Sequence, residues 1–150
     1  MEFLFNPAVS REEWNEFIVR HGGGFLQSFE WAGFQEKAGN TVARVIVKKD
    51  GVTMLCASAI RHMLPLKKTY WYVPYGPVIA GAAHDKEKLI CFFTEQFARV
   101  AGEEAIFLKI EPEEMGVQEV LAERGVRSAG AQPQETTIVD CALSEEEMLS

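Results

Sequence analysis

Thr41-Val42-Ala43-Arg44-Val45-Ile46-Val47-Lys48, then Asp50-Gly51, then the long run from Val52 to Leu64 (VTMLCASAIRHML) decide the fold. Apolar and polar residues alternate through the first run, as they do in a strand half buried on a core. Asp-Gly favours a two-residue hairpin turn, whose central residues both need positive φ. The second run therefore returns antiparallel to the first. Residues 69–73 (TYWYV), rich in aromatics, add a third strand that stops at Pro74. The spacing predicts an antiparallel meander.

Toward the N-terminus, residues 1–5 read as a first strand. Ser10 with Glu13 forms a capping box, and Trp14, Phe17 and Ile18 recur at helical spacing until His21-Gly22-Gly23-Gly24. The triple glycine closes a helix and lacks the Lys-Ser/Thr of a phosphate-binding loop, so it reads as a C-cap. Ser28 caps a second helix that carries Trp31 and Phe34 and stops at Gly39-Asn40; Trp31 is expected in the core. Toward the C-terminus, residues 85–100 place Leu89, Ile90, Phe92, Phe93 and Phe97 on one broad face, an amphipathic helix. Residues 105–110 predict a central strand ended by Glu111-Pro112, and residues 114–123 a helix closed by Gly125. A last strand is expected over 137–141. Ser144 and Glu147 then open another helix, and the chain stops at Ser150 within two turns, so a truncated chain is expected. The order β-α-α-β-β-β-α-β-α-β describes an α/β or α+β domain with a mixed sheet.

Bulk composition narrows the function. The chain has 150 residues, 47% hydrophobic and 25% charged, which suits a soluble globular domain. Fifteen Lys and Arg against 22 Asp and Glu give a net charge of −7. A surface gripping nucleic acid needs a basic stripe, and only Lys48-Lys49, Arg61-His62 and Lys67-Lys68 are locally basic. No apolar run is long enough to span a membrane, and the N-terminus has no signal-peptide pattern. Cys56, Cys91 and Cys141 lie far apart among apolar neighbours, and His21, His62 and His84 are equally scattered. Buried thiols, surface imidazoles, a reducing cytoplasm and no metal or other cofactor are the expectation.

Four short motifs in register carry a family resemblance. They are Phe25-Leu26-Gln27-Ser28-x-x-Trp31, Tyr72-x-Pro74-x-Gly76-Pro77, Ile110-Glu111-Pro112-Glu113, and Gln132-Pro133-x-x-Thr136 followed by Asp140 and Ser144-Glu145-Glu146. Together they resemble the Fem (FemAB/FemX) family of peptidoglycan-bridge aminoacyltransferases. The resemblance implies an acetyltransferase-like (GNAT) fold, with a mixed, largely antiparallel sheet flanked by helices. It also implies that residues 1–150 are the N-terminal part of the first of two such domains.

The same resemblance implies transfer of an amino acid from aminoacyl-tRNA to an amine on a UDP-linked or lipid-linked muropeptide precursor. The tRNA would be held by the part of the family chain missing here, and the enzyme would work in the cytoplasm with peripheral contact to the membrane surface. Aminolysis of an ester needs a neutral amine and a group to orient it and take its proton. Glu111, at a strand end, is the candidate; the family position is often Asp. Tyr72, Tyr75, Gly76 and Pro77 would shape the muropeptide groove, Tyr75 standing where many relatives carry Arg. Gln35 stands where relatives place a phosphate-binding Lys. Thr136 and Asp140 are expected to hold strand geometry. Glu113 and Glu114 read as surface charges.

Two alternatives stay open. An acyl-CoA-dependent GNAT acetyltransferase needs a pyrophosphate loop that opens a helix, and its nearest match, Arg99-Val100-Ala101-Gly102-Glu103-Glu104, ends one and carries Glu where a small residue belongs. A non-catalytic substrate-binding half is the other.

Overall fold

A computed structural model describes residues 1–80, 86–125 and 130–132. In chain order the elements are β1 (Glu2–Phe5), α1 (Arg11–Arg20), α2 (Phe29–Lys37), β2 (Thr41–Lys49), β3 (Val52–Met63), β4 (Thr69–Pro74), β5 (Val78–Ile79), α3 (Lys86–Val100), β6 (Ala105–Glu111) and α4 (Met115–Arg124). Single 3-10 turns at Phe25–Gln27 and Pro65–Lys67 precede α2 and β4.

The hairpin forms as its turn dictates. Asp50 and Gly51 both have positive φ, 52° and 79°, and β2 and β3 pair antiparallel from Thr41↔Arg61 to Lys49↔Val52, with a bulge at Val47/Lys48. β1 pairs with β2 and β4 with β3, both antiparallel, while β6 runs parallel to β4. The sheet order is β1-β2-β3-β4-β6, with the short β5 pairing with β3. The expected mixed, largely antiparallel sheet is present. β6, expected to be central, is the end strand of the sheet among the described residues; Ile106 and Phe107 on it are exposed. The strand expected over 137–141, the helix opening at Ser144, and Thr136 and Asp140 lie outside the described residues.

Alternation along β2 sends neighbouring side chains to opposite faces, and both faces are covered. On one, Ala43, Val45 and Val47 join Leu55, Ala57, Trp71 and Val73 under Leu89, Phe93 and Phe97 of α3 and Val117 of α4. Phe97 meets Phe5 and Trp71 edge-on, at 6.0 and 5.6 Å between ring centroids. On the other, Ile46, Cys56 and Val78 pack against Trp14 and Ile18 of α1, and Val42 and Ile60 against Ala32 of α2.

Local signals place these helices. Ser10 and Glu13 make the capping box, and Ser28 accepts from the Trp31 N–H at 3.1 Å. The α1 end is closed by Gly23 N–H bonding to Ile18 O, after Gly22 at φ +73°. Trp31 departs from expectation: it is half-buried, between the exposed rings of Phe25 and Phe34, and Ala32 takes the inward position instead. An alanine there lets the short helix approach the sheet closely. Cys91 and the rings of His21 and His62 are likewise half-buried rather than buried or on the surface.

Candidate functional site

β4 and β6 are parallel and end together, Pro74 pairing with Glu111. In sheets of this kind, ligands bind beyond the carboxyl ends of such strands. A proline stops each: Pro74 ends β4, and Pro112 follows Glu111. A residue before proline is held extended, so Glu111 keeps strand geometry to its last position.

Period-two alternation puts Tyr72, Lys109 and Glu111 on one face of this pair. The Tyr72 hydroxyl donates to Glu111 Oε2 at 2.5 Å, and Lys109 Nζ lies 3.0 Å from Glu111 Oε1. The Ala131 backbone N–H also donates to Oε1, and Gln132 Nε2 donates to the Tyr72 hydroxyl at 3.2 Å. Lys109 Nζ stands 5.6 Å from the Tyr72 ring centroid. Burial alone would raise the Glu111 pKa, but the Tyr72 hydroxyl, the Ala131 N–H and Lys109 together outweigh it and hold the carboxyl below its ordinary value. Burial, with the Glu111 bond second, pushes the Tyr72 phenol up. The site thus presents a carboxylate that is ionised at neutral pH beside a neutral phenol.

Further along the same face, His62 stacks on Tyr70 and Tyr70 on Phe107, with centroids 5.0 and 4.8 Å apart. Burial lowers the His62 pKa, and its Nε2 is buried without a hydrogen-bond partner among the described residues. Beyond β4, Tyr75 takes φ +48° in the turn that continues through Gly76 and Pro77 into β5. A non-glycine residue there is uncommon and costs of order 1 kcal/mol, and it sits beside the site.

Of the residues singled out in the sequence, Tyr72 and Glu111 are in direct contact, and Tyr75, Gly76 and Pro77 form the adjoining turn. Gln35 is elsewhere, at the end of α2, where Asn40 Nδ2 donates to its Oε1 at 2.6 Å. Glu113 and Glu114 are exposed, and Glu114 pairs with Lys86. Sequence reasoning missed Lys109 and left Gln132 without a role. Lys109 lies two residues before Glu111 on a strand, a spacing that puts both on one face. The string from Arg99 to Glu104 closes α3 and leads into β6, so it provides no helix N-terminus for a pyrophosphate.

The sequence matches the FemAB family over residues 9–141. The chain belongs to the FemAB family. A crystal structure of FemX superposes with a TM-score of 0.66 at 24% identity, covering 82% of this chain and 31% of that one. The chain thus spans about a third of the length of that structure. A probable acetyltransferase (TM-score 0.55, 11% identity, 93% and 99% covered) is also similar. So is a predicted acetyltransferase with acetyl-CoA from Clostridium acetobutylicum (0.58, 7%, 90% and 95%). At these identities the likeness shows the fold, which is the GNAT-like one expected. None of the curated proteins matches the chain.

Among the described residues no helix is long and apolar enough to cross a membrane, and no cluster of His, Cys, Asp and Glu could hold a metal ion.

Proposed function

We propose that this FemAB-family chain is part of an aminoacyltransferase that moves an amino acid from aminoacyl-tRNA to an amine of a peptidoglycan precursor, UDP-linked or lipid-linked. The observation that carries the reading is the Glu111 carboxylate at the C-terminal end of parallel strand β6, fixed by the Tyr72 hydroxyl. In the reaction the acceptor amine attacks the ester carbonyl, a C–N bond forms, and the C–O bond to the ribose breaks. The amine loses a proton, which ends on the ribose oxygen. A carboxylate beside the amine orients it and takes that proton as the bond forms.

Each neighbour has a part in this scheme. Tyr72 and the Ala131 N–H aim the carboxylate, and Lys109 keeps it ionised. Tyr75, Gly76 and Pro77 wall the groove for the muropeptide. The tRNA would be held by parts of the family chain beyond these residues, in keeping with the acidic balance of −7 here. The work is assigned to the cytoplasm, with peripheral contact to the membrane surface when the acceptor is lipid-linked.

The test offers the intact gene product labelled aminoacyl-tRNA with UDP-linked or lipid-linked muropeptide, and separately labelled acetyl-CoA. Label moving from tRNA into the muropeptide is the expected result. Acetyl transfer with no aminoacyl transfer would overturn the reading in favour of an acyl-CoA enzyme.

A further inference from the structure

β3 and β4 separate just after Tyr72. Their register pairs Ile60 with Tyr72, and two residues further it would set Ser58 opposite Pro74. That rung cannot form in full, because proline has no N–H to give Ser58 O. The chain turns away instead, and β5 takes over beside β3 at Cys56 and Leu55. Ser58 is buried, and backbone polar groups in such a place need partners.

The side chain of Gln27, fully buried, supplies them. The Ser58 N–H donates to Gln27 Oε1 at 2.7 Å, and Gln27 Nε2 donates to Pro74 O at 2.5 Å and to Ser58 O at 3.3 Å. The orientation is forced, since an N–H only donates and the two carbonyls only accept. Gln27 is itself anchored, its main-chain carbonyl accepting from Trp14 Nε1 at 2.8 Å. Gly76 lies flat against the amide: a Cβ there would stand 2.7 Å from Gln27 Cδ.

We infer that Gln27 is a positioning residue for the site, its carboxamide replacing the missing rung between Ser58 and Pro74. It thereby fixes the Pro74–Pro77 turn and, through the Pro74–Glu111 pairing, the Glu111 carboxylate. The catalytic consequence rests on the proposed function; the geometric one does not. Methionine at position 27 fills similar volume and makes none of the three bonds. Glutamic acid in its protonated form has a donor and an acceptor in the same places, whereas its carboxylate has no donor for Pro74 O.

The experiment compares Gln27→Met and Gln27→Glu with the wild type in the intact protein, well below the unfolding temperature. It reads the Glu111 carboxyl titration by NMR, and kcat and KM for aminoacyl transfer. In Gln27→Met the Glu111 midpoint moves up toward the ordinary carboxyl range, and kcat falls at least about 10-fold with KM for the donor little changed. In Gln27→Glu, activity relative to wild type is restored at the acid end of the range and lost as pH rises and position 27 ionises. A Gln27→Met protein that is merely less stable, with Glu111 titration and kcat intact, overturns the inference. If Gln27→Met does not fold, Gln27→Glu decides: a loss that does not vary with pH overturns the inference. Absence of transfer by the wild type would sink the proposed function and leave the Glu111 titration to judge Gln27.

Discussion

The Tyr72 hydroxyl donates to Glu111 at 2.5 Å across the parallel β4–β6 pair, though 39 positions separate the two residues. Because this bond and its companions favour the charged form, Glu111 has a lower pKa folded than unfolded. Its contribution to stability is present above the unfolded carboxyl value, about 4.3, and is lost as pH falls through the folded value. Tyr72→Phe removes the hydroxyl alone. The expected loss is about 1–2 kcal/mol at neutral pH and smaller at an acid pH below the folded value, where Glu111 is protonated in both states. Urea unfolding at the two pH values checks this, and an equal loss at both would count against it.

Phe97 is fully buried where α3 meets the sheet, against Phe5, Trp71 and Phe93. Phe97→Ala removes a ring from the centre of the larger core and is expected to cost about 3–5 kcal/mol. A denaturation midpoint within experimental error of the wild type would mean that this core is packed otherwise.

Ser10 accepts from the Glu13 N–H at 3.1 Å while Glu13 reaches back to the Ser10 N–H at 3.2 Å. Ser10→Ala leaves the Glu13 N–H to water and should lower stability by about 1 kcal/mol. Thermal unfolding monitored by circular dichroism measures the difference.

Cys56 is buried on the α1 side of the sheet, and burial pushes its thiol up to about 12. Thiolate is the reactive form. N-ethylmaleimide at pH 8 should therefore spare Cys56 in the folded protein and label it after denaturation, as peptide mass spectrometry would reveal. Labelling of Cys56 under native conditions at the rate of a free thiol would contradict the packing.

What could be read from the sequence was local in kind. Ser10 and Ser28 start helices through bonds three residues away, and Asp50-Gly51 turns the hairpin within its own dihedral angles. The four motifs indicated the family and its fold before any contact was known, and Glu111 was singled out by its place at a strand end. What could not be read depends on register between distant strands. The Tyr72–Glu111 bond needs β4 and β6 to be neighbours, and nothing in either strand says so. Gln27 stood within a motif without a role of its own, because its partners, Ser58 and Pro74, lie 31 and 47 positions away. Trp31 misled for a different reason: helix periodicity marks a face, but clearance above the sheet gave the inward place to Ala32.

The most direct measurement is kcat for the proposed aminoacyl transfer by the intact protein carrying Glu111→Gln. The change keeps size and hydrogen-bonding reach but removes the negative charge and the capacity to take a proton. A fall of roughly 100-fold or more is expected, with donor and acceptor binding close to wild type. Activity retained within about 3-fold of the wild type, far short of the loss expected when a general base is removed, would contradict it.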